Sequence, residues 1–288
     1  MQIAASSCAL GHIPFSDMEK MALAQDWTIE FSSGFRYEPN LETRFIESRC
    51  KRWIHNYFPP PQTPFVLNLA SAKPATRQTS IDHGRQALRM AHEAGIPFYS
   101  IHAGFCIEPD PKDLGRPLSH YAPEGSLEKY WERFLDALRI LLTDAERYNI
   151  HLYVENNVVS QDNVNVPLLC SDAAACLRLF KDLPHPRLGL LLDTAHLKVS
   201  AQSLRFSADD FVLKLKDHVK LLHHSDNDGK RDTNLPLDRQ YWFLKHMPSF
   251  ADRYHVLEIN DLSVEQINTH IKLLTEAVSQ PAAEKSKC

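Results

Sequence analysis

The chain has 288 residues, 43% of them hydrophobic and 24% charged, with a formal net charge of −4. That is enough for a substantial core in one large domain or two small ones. The acidic balance gives no general attraction to phosphate backbones or anionic lipid, so it counts against a nucleic-acid or membrane-surface role.

In chain order, the strand candidates are QIAASSCA, WTIEFSS, PFVLNLA, IPFYSIHAG, IHLYVENNV, LGLLLDTAH, KLLHHSD and YHVLEIN. Each is rich in Val, Ile, Leu or aromatics and is bounded by turn residues. Helical patterns fall between them. TSIDHGRQALRMAHEAG aligns Ile81, Ala87, Leu88 and Ala91 on one stripe, and the segment from Ser126 to Asn149 aligns Leu127, Trp131, Leu135, Leu138 and Leu142. Ser16 with Glu19, Ser207 with Asp210, and Ser263 with Gln266 have the spacing of helix N-caps.

Eight strand-then-helix units without a linker predict an α/β chain, a single-domain (β/α)8 TIM barrel over residues 1–279. A doubly wound sheet would carry a glycine-rich first turn, and CALGHIPF is not one. Two segments break the rhythm. Phe105 to Gly125 is a long proline-rich connection, which the spacing allows as a lid or as a solvated loop. The tail QPAAEKSKC, 280–288, has little to bury and is expected to fray.

The six cysteines show no C-x-x-C pair and are expected to be reduced. The N-terminus lacks a basic region and a long apolar run, and no stretch of about 18 apolar residues suggests a membrane span. A soluble cytoplasmic protein is the expectation, with assembly into a homo-oligomer left open.

The chemistry-bearing residues stand at strand ends, where catalytic groups of such barrels are expected. They are His102, Glu155, Asp193, the pair His223–His224, and Glu258. Side-chain alternation turns Glu155, Asp193 and Glu258 inward, because Leu152, Val154, Leu190, Leu192, Leu257 and Ile259 suit the layer facing the helices. Three converging carboxylates repel one another, and burial raises the cost. A divalent cation with one imidazole relieves both; oxygen ligands with one histidine favour manganese, while Mg²⁺, Co²⁺ or Zn²⁺ remain open. Taken singly, each has a blander reading: Asp193 as a helix cap, His102 as a hydrogen-bonded core residue. Glu30 shares the inward parity, and a buried salt bridge explains it equally well. Lys230 and Arg231 read as a solvated turn rather than a phosphate site.

The set IHAG, YVENN, LLLDTAH, HHSDNDG and VLEIN, in this order, resembles the xylose isomerase-like barrels, which include ketose 3-epimerases, hydroxypyruvate isomerases, inosose dehydratases and type IV apurinic endonucleases. The likeness spans nearly the whole chain, and D-T-x-H with a downstream H-x-x-D-N is its distinctive part. It implies metal ligands at Glu155, Asp193, His223 and Glu258; His223 rather than His224 stands three residues before Asp226, and alternation agrees. It further implies substrate contacts from His102, His196 and Asp226, to which the inward parity of Glu30 adds a fourth candidate.

The endonucleases carry D-x-H after strand seven and a histidine at the end of strand three. Here Asp232-Thr233-Asn234 and Asn68 take those places, so two imidazoles are expected to be missing and a trinuclear cluster is disfavoured. The function so implied is a sugar isomerase or epimerase acting on a small-molecule carbohydrate. It would abstract a proton next to a carbonyl through a metal-stabilised enediolate, with Glu155 and Glu258 as acid and base. A dehydratase that expels water is the alternative, an endonuclease IV-like phosphodiesterase a more distant one, and a barrel retained only for binding the last.

Overall fold

The computed structural model describes residues 1–11 and 13–279. The strands are β1 (Gln2–Ser6), β2 (Thr28–Phe31), β3 (Lys51–Ile54), β4 (Phe98–His102), β5 (His151–Glu155), β6 (Leu188–Asp193), β7 (Val219–His224) and β8 (Tyr254–Leu257). All their pairings are parallel, in the order β3-β2-β1-β8-β7-β6-β5-β4. The ring is nearly closed: between β3 and β4 lies one isolated bridge, His55 to Ser100. Both faces of such strands are covered, which is why β6 reads LGLLLD and is buried at every position.

The helices are α1 (Phe15–Gln25), α2 (Leu41–Glu47), α3 (Pro74–Glu93), α4 (Leu127–Tyr148), α5 (Ala173–Asp182), α6 (Thr194–Leu204), α7 (Ala208–Leu215) and α8 (Val264–Val278). Ser263 and Gln266 form the expected capping box, and the Ser207 hydroxyl accepts from Asp210 N at 3.1 Å. Ser16 does not cap α1. The helix begins two residues earlier, after Pro14, with Phe15 packed into the core against Phe31 and Phe45. The seventh unit also departs from expectation: β7 and β8 are joined by a 3-10 segment, Leu244–Phe250, which contains Pro248.

The larger correction concerns strand three. PFVLNLA is not a strand; it runs as an irregular segment into α3, and β3 is Lys51–Ile54. Asn68 explains the irregular course. Its side-chain oxygen accepts from the Ala70 and Phe105 amides, and its amide donates to the Phe105 and Ile107 carbonyls, which ties two loops together.

Two features position the site. The N-terminal end of the barrel is plugged by aromatic rings: Phe98 packs against Trp53, Tyr153 and Tyr254 at centroid distances of 5.2, 5.2 and 4.7 Å. The 105–125 connection is a packed structure. Ile107 and Leu118 form a small core with Val166, and Glu108 accepts from Ser71 Oγ and the Ala72 amide at 2.6 and 2.5 Å. The tail expected at 280–288 lies outside the described residues.

Candidate metal centre

Alternation along the strands delivers one polar layer above the aromatic plug. Glu30 is the penultimate residue of β2, His55 follows β3, His102 ends β4, Glu155 ends β5, Asp193 ends β6, His223 is the penultimate residue of β7 and Glu258 follows β8. Glu30, His55, Glu155, Asp193 and His223 are buried, whereas a third of the His102 side chain is exposed toward the mouth.

Glu155, Asp193, His223 and Glu258 each offer a donor atom such that all four lie within 4.8 Å of one another. This is the set that the resemblance implied, its three carboxylates turned inward by strand parity. His55, His102 and Glu155 form a second such set, and Glu30, His55 and His223 a third. Glu155 is the hub. Its Oε2 is 3.1 Å from His102 Nε2 and 3.3 Å from His55 Nε2, and its Oε1 is 3.1 Å from His196 Nδ1. His223 is held on both sides, Nδ1 at 2.9 Å from Glu258 Oε2 and Nε2 at 3.0 Å from Glu30 Oε1.

Asp193 serves twice. Its Oδ1 accepts from the His196 amide at 2.7 Å and so caps α6, and among the described residues Oδ2 is buried without a hydrogen-bond partner. Both Glu155 carboxylate oxygens are also without one, since the nearby imidazoles reach ion-pair distance but not hydrogen-bond alignment. Buried carboxylate oxygens of this kind are costly unless a cation meets them. The donor set therefore fits a divalent ion, with Glu155, Asp193, His223 and Glu258 to hold it.

The electrostatics agree. Burial pushes the Asp193 carboxyl well above the ordinary range, and the neighbouring Glu258 and Glu155 charges add to the rise. Burial raises Glu30 likewise, against the opposing pull of His223. Burial also opposes charge on Glu258, but the His223 imidazole outweighs it and brings the pKa to about 2. Glu155 is held well below its usual value because His102, His196 and His55 together overcome desolvation. Without a cation, this cluster keeps two carboxylates charged and pushes two others toward the neutral form. A divalent ion would lower Asp193 in turn.

Other residues expected at the site divide. His196 is buried beside Glu155, with Nδ1 2.9 Å from the Asn156 carbonyl and Nε2 3.2 Å from Asp232 Oδ2. His102 and Glu30 join the polar layer as described. Asp226 does not: its Oδ1 accepts from Lys198 Nζ at 2.6 Å and from the Asn227 amide, an ion pair beside the layer. His224 faces the helices, where its Nδ1 meets the Tyr241 hydroxyl at 3.0 Å and its Nε2 meets His255 at 2.9 Å. Lys230 and Arg231 are exposed, and Arg231 pairs with Asp162.

Two residues were missed. His55 stands where an imidazole was expected to be lacking, because the true third strand is KRWI and not PFVLNLA. The signal was legible, since Ile54-His55 repeats the Ile101-His102 pattern of the next strand. Asp232 reaches His196, while Asn234 turns aside and its Oδ1 accepts from Ser225 Oγ at 3.1 Å. One imidazole is therefore replaced relative to the endonuclease pattern, not two.

Residues 43–266 match the model of the xylose isomerase-like TIM barrel. The chain belongs to that family. Among curated family relatives, it is 24% identical over 239 residues to "Probable endonuclease 4" of Carboxydothermus hydrogenoformans, covering 77% of this chain and 76% of the other. Among solved xylose isomerase-like barrels, a D-tagatose 3-epimerase-like protein superposes with a TM-score of 0.74 at 20% identity, over 96% of this chain and 97% of its own. D-psicose 3-epimerase from Clostridium cellulolyticum H10 superposes with a TM-score of 0.66 at 12% identity, over 96% of each chain. At these identities the superpositions establish the fold.

Proposed function

We propose that this chain is a divalent-metal-dependent isomerase or epimerase of a small carbohydrate, moving a proton at a carbon next to a carbonyl. The observation that carries the reading is the convergence of Glu155, Asp193, His223 and Glu258 within 4.8 Å at the open end of a plugged barrel. Bound there, a divalent ion supplies Lewis acidity that lowers the cost of negative charge on a substrate oxygen. Glu155 and Glu258, on strands flanking the Asp193 and His223 pair, are the two carboxylates kept ionised, so either can accept a carbon-bound proton. Burial opposes charge on His196, but Asp193 and Asp232 outweigh it and raise its pKa well above the usual value; its Nε2, 3.2 Å from Asp232 Oδ2, is the nitrogen that a substrate hydroxyl would share with that carboxylate. The aromatic plug keeps water from entering behind the substrate. Manganese is the ion that an oxygen-rich set with one histidine favours.

A screen of keto-sugars and cyclitols in D₂O tests this directly. The wild type should incorporate solvent deuterium into one substrate class, and Glu155→Gln and Glu258→Gln should each lower incorporation by about 100-fold or more. Full incorporation in both variants would remove the two glutamates from the mechanism, and loss of one water from the product would mark a dehydratase.

A second reading is favoured by one observation, the His55, His102 and Glu155 set that shares Glu155 with the first. Residues able to hold two ions side by side would suit phosphodiester hydrolysis. Metal analysis giving two ions per chain, with cleavage of an abasic duplex, would establish it. The net charge of −4 speaks for the small-molecule reading, because backbone binding draws on basic surplus.

A further inference from the structure

We propose that Glu30, from β2, is a positioning residue that anchors His223 through Nε2 and so leaves Nδ1 as the nitrogen presented to the metal site; this rests on the metal-dependent reading above. Both side chains are fully buried. His223 Nε2 stands 3.0 Å from Glu30 Oε1 and 3.3 Å from Oε2, with its N–H aligned on Oε2. The opposite nitrogen, Nδ1, is 2.9 Å from Glu258 Oε2, and Glu258 belongs to the four-residue set that Glu30 does not join.

An imidazole has two nitrogens. When one is tied to a carboxylate, the tautomer and the ring orientation of the other are fixed, and its basicity rises. Glu30 has no other evident task. Among the described residues, His223 is the one hydrogen-bond partner of its carboxylate, and Oε1 has no aligned donor. A buried carboxylate held by a single imidazole is a poor stabilising element by itself, since desolvation offsets most of the attraction. Its placement makes sense as an outer support for a ligand on β7. Glu30 also lies within ion-holding distance of His55 and His223, so the test must separate a support from a direct ligand.

The experiment is Mn²⁺ titration of the full-length protein, read by the electron paramagnetic resonance of free Mn²⁺, for wild type, Glu30→Ala and Glu30→Gln. Thermal unfolding of the metal-free proteins checks the fold. Removing the anchor in Glu30→Ala should weaken Mn²⁺ binding by about 10–100-fold. Glu30→Gln keeps the volume and an oxygen able to accept from Nε2–H, so it should recover the larger part of that loss. Binding by Glu30→Ala as tight as wild type overturns the inference alone. Equal weakness in both variants also overturns it, because a direct ligand needs the charge that glutamine lacks. A wild type that takes up no Mn²⁺ overturns the underlying reading and this inference with it.

Discussion

His83, on α3, is buried against Tyr57 and Phe65, and its Nε2–H donates to the Asn56 carbonyl at 3.1 Å. Burial lowers its pKa from the usual value of 6.5 to about 4, with the Asn56 contact opposing the fall. The sign follows. Between about pH 6.5 and pH 4 the unfolded chain binds a proton that the folded chain refuses, so stability is lost as pH falls through that window. The loss approaches roughly 3 kcal/mol as an upper bound. Denaturant titrations at both ends of the window should show a smaller acid loss for His83→Gln than for wild type; equal losses would remove His83 as the cause. The effect touches the site, because Asn56 is next to His55 and its Oδ1 accepts from the His102 amide. At this scale parity turned Glu155, Asp193 and Glu258 inward, since leucines and valines alternate with them, and the H-x-x-D spacing of the resembled family singled out His223. Sequence reasoning missed His55, whose strand holds one tryptophan and one isoleucine behind two cations and so lacks the apolar weight that marks the others.

Among the elements, β6 shows most directly how packing selects residues. Gly189 faces the plug, and a Cβ there would meet Tyr153 Cδ1 at 2.8 Å and Lys220 Cγ at 2.6 Å. The Tyr153 ring is part of the aromatic floor and has no easy retreat. Gly189→Ala should therefore destabilise the fold by about 1–3 kcal/mol through overpacking; a thermal midpoint unchanged from wild type would contradict that. Six strands fall within the segments legible in the sequence, and β7 begins one residue ahead of its own. The eighth was displaced because PFVLNLA carries the apolar composition of a strand while its backbone is committed to Asn68 and the 105–107 loop. Composition alone does not register such side-chain ties. The 105–125 segment was ambiguous for a related reason: its small core depends on Val166, which lies far along the chain in a different loop.

For the whole molecule, the eightfold alternation was the strongest signal, and the barrel it implies is what the chain forms. Closure, however, is uneven. β6 and β7 share a long ladder, whereas β3 and β4 meet through the His55 to Ser100 bridge, the Asn56 amide on the Ser100 carbonyl at 2.7 Å, and His55 Nδ1 on Ser100 Oγ at 2.9 Å. Segments with few backbone bonds open at lower free energy. Native-state hydrogen exchange should accordingly be faster in 51–54 than in 188–193, and equal protection would mean that side-chain packing alone secures the join. The fastener of the ring is thus made from the same imidazole that borders the Glu155 carboxylate. A ligand that orders His55 would therefore also secure the rim, joining the filling of the cup to the closing of the ring.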